Sequence, residues 1–260
     1  MQPVIRRYRA DLHVHTALSA CASETMTPHA ILTAAREREV DVIGGLDHNA
    51  AANARSLVDA AAAGAAGTPV HVLPGLEIQS MEGVHIVCLC DDPGDAEEMQ
   101  QFVWAHLPEA ANPPEIVRRQ QLLNADGEQV GQENRALWES TRLSLVEICR
   151  EARRRGFLVI PAHVTRPGTG LIDVLGCAPE GLEIDALESG PPMAPSAQVE
   201  AELARYPWVW SSDAHQPDEI GTICTDFWLR EPTVAELRMA LRGESGRRVL
   251  GAVTGAVAKC

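Results

Sequence analysis

The sequence predicts an α/β fold in which short strands alternate with helices around a parallel sheet, closed as a barrel or open and doubly wound. Three observations predict it. The chain has 260 residues, an ordinary length for a single α/β barrel. Short apolar runs of strand length recur along it, separated by segments with helix-start signals. No composition break, internal repeat or low-complexity linker divides it. One domain over 1–260 is therefore expected.

The elements follow in order. The first apolar run ends in "DLHVH" (11–15). Thr27 then Pro28 reads as an N-cap and first-turn proline before "HAILTAARERE". "DVIGGL" (41–46) is the next strand, and the alanine-rich "ANARSLVDAAAAGAA" (52–66) the next helix. "VHVLPG" (70–75) and "GVHIVCL" (83–89) are strands. The segment from about 91 to 143 fits the alternation worst and is expected to be an insertion packed on the barrel, with a β-hairpin in "LLNADGEQVG" around Asp126-Gly127. "SLVE" (144–147) and "TVAE" (233–236) have the spacing of capping boxes, in which N-cap and third-residue side chains satisfy free backbone N–H groups reciprocally. "FLVIPA" (157–162), "GLEIDALE" (181–188) and "WVWSS" (208–212) complete the strands.

Composition narrows function. The formal charge is -14, from 22 basic and 36 acidic residues. Such a balance argues against a broad nucleic-acid or anionic-membrane surface, so no long nucleic acid and no membrane are expected as partners. A small phosphorylated substrate remains open, because bound cations reverse the sign locally. No apolar run approaches a membrane span, and the start lacks a signal-peptide core. Seven scattered cysteines and no export signal suggest reduced thiols in a cytoplasm. "CLC" (88–90) is read as core, its cysteines on opposite faces of a strand. The one lysine is Lys259, which excludes chemistries built on a lysine held in a site. Glycine-rich phosphate loops ending in lysine and the G-x-S-x-G pattern are absent.

The polar residues fall where such folds place function, at the carboxyl ends of strands. His13 and His15 end the first run, Asp47 and His48 follow "DVIGGL", and Glu77 follows "VHVLPG". His163 follows "FLVIP", Asp213 and His215 follow "WVW", and His85 sits inside "GVHIVCL". His-x-His on an extended strand sets two imidazoles on one face about 7 Å apart, close enough to share one ion. His29 is expected to be solvated, and His71 and His106 to be ordinary.

In order, "DLHVHT", "LDHN", "PGLE", "VHIV", "PAHV" and "SSDAH" resemble the motifs of the polymerase and histidinol phosphatase (PHP) family, from about residue 11 to 221. The resemblance implies a distorted seven-stranded (β/α) barrel, up to three divalent metals, and phosphoesterase activity. It implies that His13, His15, Glu77 and Asp213 hold a first metal. Glu77 would bridge to a second held by His85 and His163, and His48 and His215 would belong to a third. Asp47 would orient a ligand histidine. The chain departs from the pattern at Ala20, where many members carry an aspartate ligand of the third metal. Cys21 beside it would bias that site toward softer ions.

The chemistry expected is metal-activated hydroxide attacking a phosphate ester of a small anionic substrate such as a nucleotide. His215 or His48 would protonate the leaving oxygen, and Arg166, in "AHVTRPG", would grip the phosphate. Mixed imidazole and carboxylate ligands suit two or three Mn, Fe or Zn ions. Two other readings stay open: an amidohydrolase or deaminase without the carboxylated lysine, and a metal-stabilised binding module.

Overall fold

The computed structural model describes residues 4–64, 69–110, 112–189 and 203–254; Lys259 and Cys260 lie outside them. In chain order the elements are β1 (Arg6–His15), α1 (Pro28–Glu37), β2 (Val42–Leu46), α2 (Ala52–Ala62), β3 (His71–Gln79), β4 (His85–Leu89), α3 (Pro93–Trp104), α4 (Pro114–Arg119), β5 (Gln121–Leu123) and β6 (Gln129–Gln132). There follow α5 (Leu145–Arg154), β7 (Leu158–Pro161), α6 (Leu171–Leu175), β8 (Leu187–Ser189), β9 (Trp208–Trp210), β10 (Ile223–Leu229), α7 (Val234–Leu241) and β11 (Arg248–Thr254).

The predicted helix starts are present. Thr27 caps α1, its side chain accepting from the Ala30 N–H, with Pro28 in the first turn. Ser144 and Glu147 form a full capping box on α5. The box expected at Thr233 is only half made. Thr233 accepts from the Glu236 N–H, but the Glu236 carboxylate instead takes the Arg230 N–H and the Arg247 guanidinium.

The core sheet runs β11-β10-β1-β2-β3-β4-β7. From β1 to β3 neighbours are parallel. β4 is antiparallel to both β3 and β7. The sheet curls into a distorted barrel. Asp185 N donates to Val159 O (2.8 Å) and Val164 N to Glu188 O (3.0 Å), which tie β8 to β7. β8 and β9 pair in parallel. His15 N donates to Ala214 O and Ala214 N to His13 O, bringing the segment after β9 back to β1. The seven strands of this ring are those expected from the sequence. β10 and β11 extend the sheet outside it, β10 pairing with the Arg6–Ala10 half of β1.

Leu12, Leu46, Leu73, Val87, Ile160 and Val209 fill one core cluster, inside the ring. Outside, Ile31 and Leu32 of α1 and Leu57 of α2 pack on Val14, Ile43 and Val72. Met99 and Val103 of α3, with Ile148 of α5, pack on Leu76, Ile78 and Ile86. Each such buried side chain contributes roughly 1.5–3 kcal/mol of transfer free energy. Cys88 and Cys90 are buried in this third cluster. They share a face, as residues two apart on a strand must, rather than facing opposite ways. The predicted hairpin is β5–β6, antiparallel, with Gly127 at φ 81° in its turn. Asn53 of α2 fastens it, donating to Gln121 O and accepting from Leu123 N.

Candidate metal centre

A bulge in β1 aims the first two histidines. Tyr8, Ala10 and Leu12 face the barrel interior, whereas Val14 packs against the helices. The β1–β2 register shifts between Asp11 and Val14. An extra residue there breaks the two-residue alternation, and His13 and His15 are both fully buried at the mouth. Past β2, His48 bridges to Glu77 of β3, with Asn49 N donating to Glu77 O and Glu77 N to Asp47 O. His85 is the first residue of β4. Because that strand runs antiparallel, its amino end lies at the mouth where the parallel strands end. His163 follows β7, and Asp213 and His215 follow β9.

Eight predicted ligand residues thus converge. Glu77 Oε1 lies 2.9 Å from His85 Nδ1, 3.1 Å from His163 Nε2 and 3.5 Å from His13 Nε2. Glu77 Oε2 lies 2.8 Å from His48 Nδ1 and 3.4 Å from His15 Nε2. Asp213 Oδ1 lies 3.1 Å from His13 Nε2 and 3.2 Å from His15 Nε2. Among the described residues, three sets of potential ligand atoms cluster within 4.8 Å: His13, His15 and Asp213; His48, Glu77 and His85; His15, His48 and His215. His48 therefore stands between two groups rather than only beside His215.

These donors fit a divalent cation. The Nε2 atoms of His13 and His15 face each other at 3.1 Å. Glu77 Oε2 is buried with no aligned hydrogen-bond donor, although His48 Nδ1 is close. Lone pairs directed at one point are what metal ligands present.

The surrounding groups hold the imidazoles in place. Glu188, whose role the sequence did not reveal, accepts from His13 Nδ1 at 3.0 Å. Ser19 Oγ meets His15 Nδ1 at 2.9 Å and donates to Asp47. Asp47 also accepts from the N–H groups of Thr16 and Ser19 and the Thr16 hydroxyl. It thus acts on His15 through Ser19, not by direct contact. His163 and Asp213 have φ of 30° and 53°, a left-handed region costly for residues other than glycine. Such strain at two site residues is common where function sets the backbone.

Burial would raise the Glu77 carboxyl, but His85, His13 and His48 outweigh it and hold it well below the usual range. Burial likewise opposes ionisation of Asp213, and His13 and His15 override it. Burial disfavours protonated His13, yet Asp213, Glu188 and Glu77 raise it well above an ordinary histidine. His48 is raised in spite of burial by Glu77 and Cys21. Burial and His215 push His15 down. His215 Nδ1 meets the Asp213 carbonyl oxygen at 2.7 Å, which assigns the proton to Nδ1 and leaves Nε2 as the acceptor.

Two hollows adjoin the cluster. One of about 270 Å³ is lined by Ala20, Cys21, His48, His85, Gln120 and Trp138. The other is lined by Arg166, Asp213 and His215. Arg166, 37% exposed, pairs with Asp213 Oδ2 at this rim. His106 Nδ1 contacts Phe102 O, and His71 is exposed; neither joins the centre.

The family described as PHP-associated matches residues 197–245. The resemblance carried by the motifs is borne out by that match and by the fold. The structure is similar to the lesion-specific endonuclease Q of Pyrococcus furiosus, at 20% identity and TM-score 0.70, over 95% of this chain and 58% of that one. It is also similar to endonuclease Q in complex with a 27-mer duplex bearing an abasic lesion at the active site, at 20% identity and TM-score 0.69, over 94% and 59%. A candidate metal-dependent phosphoesterase from Bifidobacterium adolescentis matches at 17% identity and TM-score 0.54, over 79% and 87%. This chain thus spans just under three fifths of the two endonuclease chains. No curated protein matches it.

The duplex in that complex overturns the expectation that long nucleic acid is excluded as a partner. Net charge alone does not exclude such a partner, since divalent cations held by these donors would reverse the field locally. Among the described residues no helix is long and apolar enough to cross a membrane.

Proposed function

We propose that this protein is a metal-dependent phosphoesterase, with nucleic-acid phosphodiesters among its candidate substrates. The observation that carries the reading is the convergence of six imidazoles on Glu77 and Asp213 at one barrel mouth. His13, His15, Glu77 and Asp213 would hold one cation; Glu77, with His85 and His163, would hold a second; His48 and His215 lie where a third would sit. Bound divalent cations of the Mn, Fe or Zn type would supply an activated water and polarise a phosphoryl oxygen.

The chain's own groups do the rest. Glu188 and Ser19 fix the ring orientations of His13 and His15. Arg166 turns its planar fork from Asp213 toward a phosphate oxygen at the rim. His48 and His215 serve the leaving oxygen, as its proton source when no cation is held between them. The likeness to endonuclease Q supports a diester substrate.

A metal-defined screen tests this. Chelator-stripped protein reloaded with Mn, Fe or Zn is assayed on phosphomonoesters, dinucleotide diesters and abasic duplex DNA, with amides and aminopurines alongside. Phosphate-ester cleavage that needs metal and is lost in Glu77→Gln is expected. Turnover confined to the amides or amines would replace the reading with an amidohydrolase.

A further inference from the structure

Ser19 to Ala22 form a tight turn, closed by Ala22 N donating to Ser19 O at 2.9 Å. Within it Ala20 lines the hollow with only a methyl group. The next residue reaches the imidazoles: Cys21 Sγ lies 3.3 Å from His48 Nε2. His215 stands near enough for its charge to act on the same sulfur. The ligand atoms of His48 and His215 themselves lie within 4.8 Å of each other. Two imidazoles and a thiol therefore stand at one corner, the sulfur in contact with His48, beside the group that His15, His48 and His215 make. Ser23 N donates to His215 O, which locks the far end of the turn to the His215 segment and holds the sulfur there.

We propose that Cys21, His48 and His215 form a thiolate–imidazole site for a thiophilic divalent cation such as Zn or Co. This rests on the metal reading above and deepens it. A turn residue one place later in the chain takes over the ligand position that Ala20 leaves without a donor. The chemistry is consistent. Soft thiolate with imidazole selects Zn-like ions over Mg or Mn, and the thiol proton leaves to solvent as the metal–sulfur bond forms. Among the described residues Cys21 is the cysteine set among histidines.

The test is spectroscopic and uses the full chain. Stripped protein is loaded with Co(II), and the thiolate-to-cobalt charge-transfer band is recorded with bound metal counted by elemental analysis. Zn-loaded protein is examined by X-ray absorption for a sulfur neighbour at about 2.3 Å. Wild type and Cys177→Ser, the exposed-thiol control, should show both signals. Cys21→Ser should lose both while metal at the Glu77–Asp213 donors stays. Cys21→Asp should bind metal without sulfur. Metal bound without any sulfur signal, or a signal that survives Cys21→Ser, overturns the thiolate site and leaves the phosphoesterase reading standing. No metal under any loading overturns both.

Discussion

At the scale of single residues, Asp213 carries charge and strain together. Its φ of 53° disfavours side chains branched at Cβ, whereas asparagine tolerates this region as well as aspartate does. Asp213→Asn should therefore keep the fold and lose metal, because the carboxylate near His13 and His15 becomes a neutral amide. Asp213→Val should lose metal and also destabilise by about 1–3 kcal/mol. Thermal melts of the metal-free proteins separate the two; equal melting temperatures would show that the backbone stores no strain there. Arg166 poses a different question. Arg166→Lys should lower turnover on the best phosphate ester by on the order of tenfold, since a point charge cannot replace a bidentate fork, with metal content unchanged. Kinetics that do not move would leave Arg166 as a partner of Asp213 alone. The side chains that converge at the mouth were legible in the sequence because strand ends concentrate function. Glu188 was not, since a glutamate ending a run looks like any other until the fold sets it beside His13. Nor could Cys21 be chosen over Ala20 without the turn that orients them.

Elements show the same division between pattern and geometry. The seven ring strands were readable as apolar runs, and the hairpin as an Asp-Gly turn. The direction of β4 was not, because hydropathy carries no polarity, and its antiparallel pairing is what brings His85 to the mouth. The β1 bulge was equally hidden: sequence alternation assumes an unbroken register. β10 was concealed by Asp226, a charge in mid-strand that Arg7 and Arg9 of β1 neutralise across the ladder. Two glycines explain how the strands approach so closely. A Cβ on Gly44 would meet Leu12 O at 2.3 Å, and one on Gly75 would meet Cys88 O at 2.3 Å. Both obstacles are backbone of a neighbouring strand and cannot swing away. Gly75→Ala should destabilise by about 1–3 kcal/mol and, by shifting β3, weaken metal binding at Glu77. A denaturant midpoint equal to that of wild type would refute the close packing.

For the whole molecule, the last elements are fastened to the barrel by one carboxylate. Glu236 on α7 accepts from the Arg230 N–H after β10 and from both Nε and Nη2 of Arg247 before β11. Its side chain is 9% exposed and that of Arg247 is 6%. A charged carboxylate with three donors joins two connections that hydrophobic burial alone leaves loose, for β11 alternates exposed and half-buried residues. The Arg247 hydrogen bonds, opposed by partial burial, hold Glu236 below its ordinary value of 4.5. The sign of the linkage follows: the folded state favours the ionised form, so the stabilisation is present above the unfolded value and is lost as pH falls through the folded one. Glu236→Gln should melt below wild type at neutral pH, and the gap should close as pH drops below about 4.5. All other titrating groups are common to the two proteins and cancel in the difference. A gap that stays constant into acid would mean that Glu236 works by shape and not by charge.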